Sequence, residues 1–242
     1  MRYNVILYLG KHATSHAIVA KQLEFKMIRI SKTSKLDGIL SWSLQAIETC
    51  PASMGENGQL VAACSGCYAT TGNYNYPNVK APRAENKEDW KRDSWVSDMV
   101  QALDSSRYFR WFDSGDMYAI GLADKILQVM QATPWCKHWL PTRMAKFPKF
   151  APVLAAMQAL PNVMVRYSSD SVSGEFDSRH GSVIIDNPEE LPAGATLCEA
   201  YNHGGKCNGC RACYNKDVPV IAYPAHGRKM AKVIRILKHK EA

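Results

Sequence analysis

The chain has 242 residues, 46% of them hydrophobic and 21% charged, with a formal net charge of +8. This length supports one substantial domain, and the composition excludes a disordered, collagenous or fibrous polypeptide. No apolar run reaches the ~18–20 residues of a bilayer span, and the positive balance suits a polyanionic partner, nucleic acid before a membrane surface.

Residues 1–22 lack a small-residue cleavage site, so they read as a first strand, Asn4–Leu9, and a helix rather than a signal peptide. The expected location is therefore the cytoplasm. A second strand is expected at Lys26–Ile30. From Cys50 to Arg83 the chain is rich in Gly, Asn, Tyr, Ser and Cys without periodicity, an ordered loop expected to need a ligand or metal. Trp90–Leu103 has a helical face of Trp95, Val96, Met99, Val100 and Leu103.

Strands and helices then alternate. A strand at 108–113 precedes a helix from Tyr118 to Ala132, stopped by Pro134. A strand at Lys137–Leu140, a helix at Phe150–Leu160 and a strand at Asn162–Ser168 follow, with further strands at Ser182–Asp186 and Pro219–Tyr223. This order predicts βαβ units and a parallel sheet. The expected fold is α/β, a single compact or incomplete (β/α) barrel over residues 1–242, with an open α/β sheet as second choice. It would carry a Cys-rich loop 50–83, a metal-binding segment 198–226 and a basic C-terminal helix 227–240. In that helix Met230, Val233, Ile234 and Leu237 form an apolar stripe among lysines and arginines, which suits docking on the domain as well as it suits phosphate contact.

Eight cysteines in a reducing compartment point to metal or thiol chemistry rather than disulfides. Cys207, Cys210 and Cys213 run C-x2-C-x2-C, with Cys198 upstream, and Gly204, Gly205 and Gly209 supply turns. Four such thiolates close a zinc site or hold an iron–sulfur cluster, and His226 is a replacement ligand for one of them. A second set, Cys50, Cys64 and Cys67, has three sulfurs, as in open iron–sulfur sites that bind S-adenosylmethionine, but a longer first gap; a structural metal pinning the loop is the plainer reading. Cys136 stands alone and reads as buried packing.

Asp113 and Asp170 fall at predicted C-terminal strand ends, which in parallel folds face one site. Two carboxylates there can divide nucleophile and proton-transfer roles at a sugar. Asp116 suits either substrate contact or capping of the next helix. Arg143 suits a phosphate or carboxylate, with Thr142 assisting. The segment 70–76, followed by Lys80 and Arg83, suits stacking on unpaired bases or simple packing on its own domain.

Asp113-Ser114-Gly115, then Pro141-Thr142-Arg143, then the cysteine cluster and a histidine, over roughly residues 108–226, resembles the guanine transglycosylase superfamily, in its reduced, DNA-acting phage branch. The resemblance implies a zinc-containing (β/α) barrel that exchanges guanine in DNA for a 7-deazaguanine base and shields phage DNA from restriction. It implies that Asp113 works at the base, that Asp170 is the candidate nucleophile, and that Ser114, Gly115, Asp116, Thr142 and Arg143 bind substrate. Asp116 stands where the tRNA enzymes have a second glycine, and the cysteines run C-x2-C-x2-C rather than C-x-C-x2-C. Separately, Cys64-Ser65-Gly66-Cys67-Tyr68-Ala69 is similar to a motif of small phage proteins linked to radical chemistry.

Three expectations follow. The first is a DNA-guanine transglycosylase with zinc, DNA and a 7-deazaguanine base as its cofactor and partners. The second is a radical S-adenosylmethionine-type enzyme holding a [4Fe-4S] cluster on Cys50, Cys64 and Cys67, with an auxiliary cluster at Cys198–Cys213. The third is a non-catalytic, zinc-stapled nucleic-acid-binding module.

Overall fold

The computed structural model describes residues 27–241. The expected strand Asn4–Leu9 and the helix after it lie outside the described residues. The strands are β1 (Ser31–Thr33), β2 (Ile39–Trp42), β3 (Tyr108–Trp111), β4 (Lys137–Thr142), β5 (Val163–Val172), β6 (Gly181–Ile185), β7 (Ala195–Leu197) and β8 (Val220–Pro224). They form one sheet in the order β1-β2-β3-β4-β5-β6-β8-β7. Only β1–β2 is antiparallel; every other pairing is parallel. Among the described residues the ladder ends at β1 and β7, without a pairing that closes a barrel.

The helices are α1 (Ala62–Ser65), α2 (Pro77–Asp89), α3 (Trp95–Ala102), α4 (Ile120–Ala132), α5 (Ala151–Ala159) and α6 (Arg228–Glu241). Periodicity explains the long ones. In α4, Leu122, Ala123, Ile126, Val129 and Met130 are buried as one face, and Trp95, Met99 and Leu103 do the same along α3. These faces meet Phe109 and Trp111 of β3, Leu140 of β4, and Val163 and Val165 of β5 in the main core. The loop expected over 50–83 ends early, because Pro77 opens α2 at a position where its missing N–H costs nothing. No strand forms at 27–30; the edge strand begins at Ser31.

Strand alternation sends the intervening residues to the opposite face. Trp139 there packs with Leu36 and Tyr214, alongside Tyr108, Cys207 and Cys213. The turn after β1 and the segment after β7 come from opposite edges of the sheet and meet over this face. Cys207 N–H donates to the Lys35 carbonyl at 2.8 Å, and Arg211 pairs with Asp37 at 2.9 Å. One face of the sheet thus holds α3, α4 and α5, and the other holds the Cys-rich segment around Cys207 and Cys213.

His138 on β4 is fully buried in the helix-side core. Trp111 Nε1 donates to its Nδ1 at 3.2 Å, and Thr133 Oγ1, whose own proton goes to the Val129 carbonyl, lies 2.9 Å from Nε2. This fixes a neutral ring with its proton on Nε2. Burial pushes the imidazole down to about 4. Its folded value lies below that of the unfolded chain, so its contribution is complete above pH ~6.5 and lost as pH falls towards 4. The expected loss is about 1.4 kcal/mol per pH unit, roughly 3 kcal/mol in all. Urea midpoints at pH 7.5 and 4.5 should show it, and His138→Gln should flatten the dependence. An equally steep dependence in that variant would refute the assignment.

Candidate functional site

The C-terminal ends of the parallel strands open onto one cavity of about 620 Å³. Its size is that of a small-molecule or cofactor site. Its walls include Ser41 and Ser43 at the end of β2, Arg110 of β3 and Phe112 to Asp116 after it, Trp139, Pro141 and Thr142 of β4 with Arg143 after it, Ser168 and Ser169 of β5, and Tyr223 to His226 at the end of β8.

The Asp113-Ser114-Gly115-Asp116 turn is a hub in the wall. Phe112 just before it has φ 56°, a left-handed conformation unusual for an aromatic residue and a place where functional sites store strain. Ser114 Oγ accepts from Arg83 Nε at 2.6 Å and donates to the Leu44 carbonyl at 2.6 Å. Gly115 has φ +79°, and a Cβ there would lie 2.5 Å from Leu44 Cβ and 2.7 Å from Thr49 Oγ1. Glycine is therefore required both by the backbone angle and by the approach of the 44–49 loop.

Asp113 Oδ2 accepts from the Tyr74 hydroxyl at 2.6 Å and from Arg83 Nη2 at 3.3 Å, and Oδ1 accepts from Arg110 Nη1 at 3.1 Å. Its backbone carbonyl takes the Tyr68 hydroxyl at 2.8 Å. Arg83 lies over the Tyr74 ring at 4.9 Å, and Arg110 over Trp139 at 4.6 Å. The 70–76 segment thus folds onto its own domain through Tyr74, while Tyr76 is exposed. Sequence reasoning missed Arg110 and the roles of Tyr68, Tyr74 and Arg83, which join Asp113 only through the fold.

Asp116 is buried and caps no helix. Its Oδ1 accepts from Met117 N at 2.8 Å and Thr142 Oγ1 at 2.8 Å, and its Oδ2 from Arg143 N at 2.9 Å. Burial pushes its carboxyl up, and the Arg143 and Thr142 hydrogen bonds oppose that. The carboxylate thus joins the β3 and β4 ends. The N-cap of α4 is Ala119, without a side-chain cap.

Asp170 departs from expectation. The β5–β6 register shifts between Ser168 and Val172. A bulge re-aims side chains, and Asp170 lines a separate surface cavity with Lys146, Glu175 and Phe176. It pairs there with Lys146, and Arg143 Nε lies 3.4 Å from it. Arg143 itself lines the main cavity and donates to the Ser169 carbonyl at 2.7 Å.

The cysteines fall in two groups on the main cavity. Cys50, Cys64 and Cys67 come from the loop between β2 and α2, and Cys198, Cys207 and Cys213 from the segment around β7 and after it. Cys210 is exposed and outside this lining. Burial pushes Cys50 up to about 12 and Cys213 up to about 11. Cys213 Sγ lies 3.2 Å from the Tyr223 hydroxyl. All eight thiols are free, and buried Cys136 is raised to about 12 by burial alone. His226 reaches the cavity from an exposed position, its ring 6.5 Å from that of Tyr68.

Among the described residues no three His, Cys, Asp or Glu side chains are gathered as an ion would require. The donor set nevertheless fits a soft metal. Three thiols of one loop face a common cavity, and Cys50 is close enough to Cys64 and Cys67 to feel their charge. Backbone bonds within the loop, Cys50 N to Ile47 O at 3.1 Å and Cys67 N to Cys64 O at 3.1 Å, hold these residues in turns. Gly66 between them admits Met230 of α6; a Cβ at Gly66 would lie 2.6 Å from Met230 Cε.

No helix among the described residues is long and apolar enough to cross a membrane. Neither the curated proteins nor the solved structures give a match to the chain. The sequence pattern of the family described as Gene product 88 matches residues 19–234, and the chain belongs to that family.

Proposed function

We propose that the chain is a radical S-adenosylmethionine-type iron–sulfur enzyme acting on nucleic acid or a nucleotide, its sheet an incomplete (β/α) barrel. One observation carries this reading: two cysteine groups from distant parts of the chain share a cavity at the ends of parallel strands. Cys50, Cys64 and Cys67 would hold the reactive cluster, and Cys198, Cys207, Cys210 and Cys213 an auxiliary cluster or zinc. Three thiolates leave a metal position for a substrate, whereas a structural zinc site is closed by four ligands. When bound, a [4Fe-4S] cluster supplies the electron that starts radical chemistry on S-adenosylmethionine.

The chain's own residues shape that space. Asp116 locks the β3 and β4 ends together, which sets Arg143 on the wall. Met230 and Gly66 pack α6 against the cysteine loop and cover it from solvent. Exchange of guanine for 7-deazaguanine draws less support, because it asks two carboxylates to face one sugar, and Asp113 and Asp170 line different cavities. The exposed Arg228, Lys229, Lys232 and Arg235 of α6 suit a DNA or other polyanionic partner.

Protein purified anaerobically should be brown, with about eight irons if both groups hold clusters, or about four with one zinc. Cys64→Ser should remove about four of those irons. Colourless protein whose metal content is unchanged by Cys64→Ser would overturn the proposal.

A further inference from the structure

We infer that Arg83 and Arg110, held by Asp113, form a phosphate-binding subsite for a nucleotide unit in the cavity. The inference rests on the cavity being a substrate site, but not on the cysteines holding a cluster. Two guanidinium groups share one carboxylate, which leaves a net positive charge at this wall. Across the whole lining Lys32, Lys35, Arg83 and Arg110 stand against the carboxylates of Asp113 and Asp116, while the fifth cation, Arg143, is paired with Asp170 outside the lining. Asp116 takes its three hydrogen bonds from Met117 N, Thr142 Oγ1 and Arg143 N, and none from the Arg83 or Arg110 guanidinium.

Arg110 supplies the second observation. The residue is 9% exposed, and its Nε is buried with no hydrogen-bond partner among the described residues. Its other nitrogens are engaged, Nη1 by Asp113 at 3.1 Å and Nη2 by the Tyr68 hydroxyl at 3.5 Å. An orphaned donor on a preorganised guanidinium suits an oxyanion that brings its own acceptors. Stacking on Trp139 holds the Arg110 plane fixed, so little further entropy is lost on binding.

The surroundings favour phosphate on a nucleotide over a bare anion. Tyr68, 45% exposed, brings an aromatic ring to the same wall, where a base can stack. The basic helix α6 adjoins the site: Lys229 Nζ donates to Thr70 Oγ1 at 2.8 Å, and Met230 lines the cavity. The phosphate belongs either to a free nucleotide or to a strand threaded along that helix, and the two sources share one chemistry.

The test is calorimetric titration of the anaerobic full-length protein with dGMP, deoxyguanosine, S-adenosylmethionine and a five-nucleotide single-stranded DNA. The expected result is at least about tenfold tighter binding of dGMP than of deoxyguanosine, with about a tenfold loss in both Arg110→Met and Arg83→Met. Arg83 is as buried as Arg110, so the melting curve of each variant, together with Arg110→Lys, which keeps the charge and should recover part of the affinity, separates lost binding from misfolding. DNA binding tighter than dGMP assigns the phosphate to a strand; equal or weaker DNA binding assigns it to a free nucleotide. Equal binding of dGMP and deoxyguanosine, or retained dGMP binding in variants with wild-type melting curves, overturns the inference. So does a dependence on Arg110 seen with S-adenosylmethionine alone. Iron content of the same samples reports on the cluster separately, so iron-free protein that binds dGMP keeps the subsite and removes the cluster.

Discussion

Replacing Arg166 with methionine is expected to destabilise the protein by about 4 kcal/mol and to loosen the cysteine-rich segment. Arg166 is fully buried on β5, on the face away from the helices. It donates to six backbone carbonyls, those of Cys213, Gly181, Pro219, Ala212, Asn215 and Val218. Burial lowers its pKa, with Tyr223 and Cys213 opposing, but a guanidinium remains protonated at neutral pH. One side chain therefore closes the loop that carries Cys213 and returns it to β8. Methionine fills much of the volume and satisfies none of the carbonyls. Lysine has three donors and should recover part of the loss. Urea unfolding measures the stability, and the rate at which a thiol reagent modifies Cys213 measures the loosening. A methionine variant within about 1 kcal/mol of the parent would show that water replaces the guanidinium at little cost.

Asp116→Ala is expected to cost about 3 kcal/mol, because it strands Met117 N–H, Arg143 N–H and the Thr142 hydroxyl in a buried site. Thr142 has no easy alternative, since its oxygen already accepts from Met144 N at 2.9 Å. Asp116→Asn keeps an acceptor for Met117 and Thr142 but turns an amide N–H towards Arg143 N–H. It should cost about half as much. The readout that separates a positioning role from general stability is the reactivity of Cys64 beside Arg143, together with dGMP affinity at a temperature where both variants are folded. Unchanged reactivity and affinity in Asp116→Ala would reduce Asp116 to a core contact.

Much of the layered architecture was legible from local pattern. The periodic faces of α3 and α4 and the strands β3, β4 and β5 follow from side-chain spacing over one or two turns. Such spacing needs no partner to be recognised. The short strands β1, β2 and β7 were not legible, because they owe their form to pairing and lack the run of aromatic residues, Tyr108, Phe109, Trp111 and Phe112, that marked the equally short β3. The 77–83 stretch was misread because a polar helix with an internal Pro82 has no apolar stripe to reveal it. At the site, Asp113 and Asp170 looked equivalent as strand-end carboxylates. The β5 bulge, a product of pairing with β6, separated them.

The sequence by itself determined the two cysteine groups, the acidic turn at the end of β3 and the basic face of α6, since spacing and residue chemistry are properties of the chain alone. Only the tertiary structure decided that both cysteine groups open on one cavity, that Arg83, Arg110 and two tyrosines enclose Asp113, and that Arg166 ties the last cysteine to the sheet. A parallel sheet gathers strand ends that lie far apart in the chain. The carbonyls and carboxylates they meet exist as neighbours only after that gathering, so no local pattern records them.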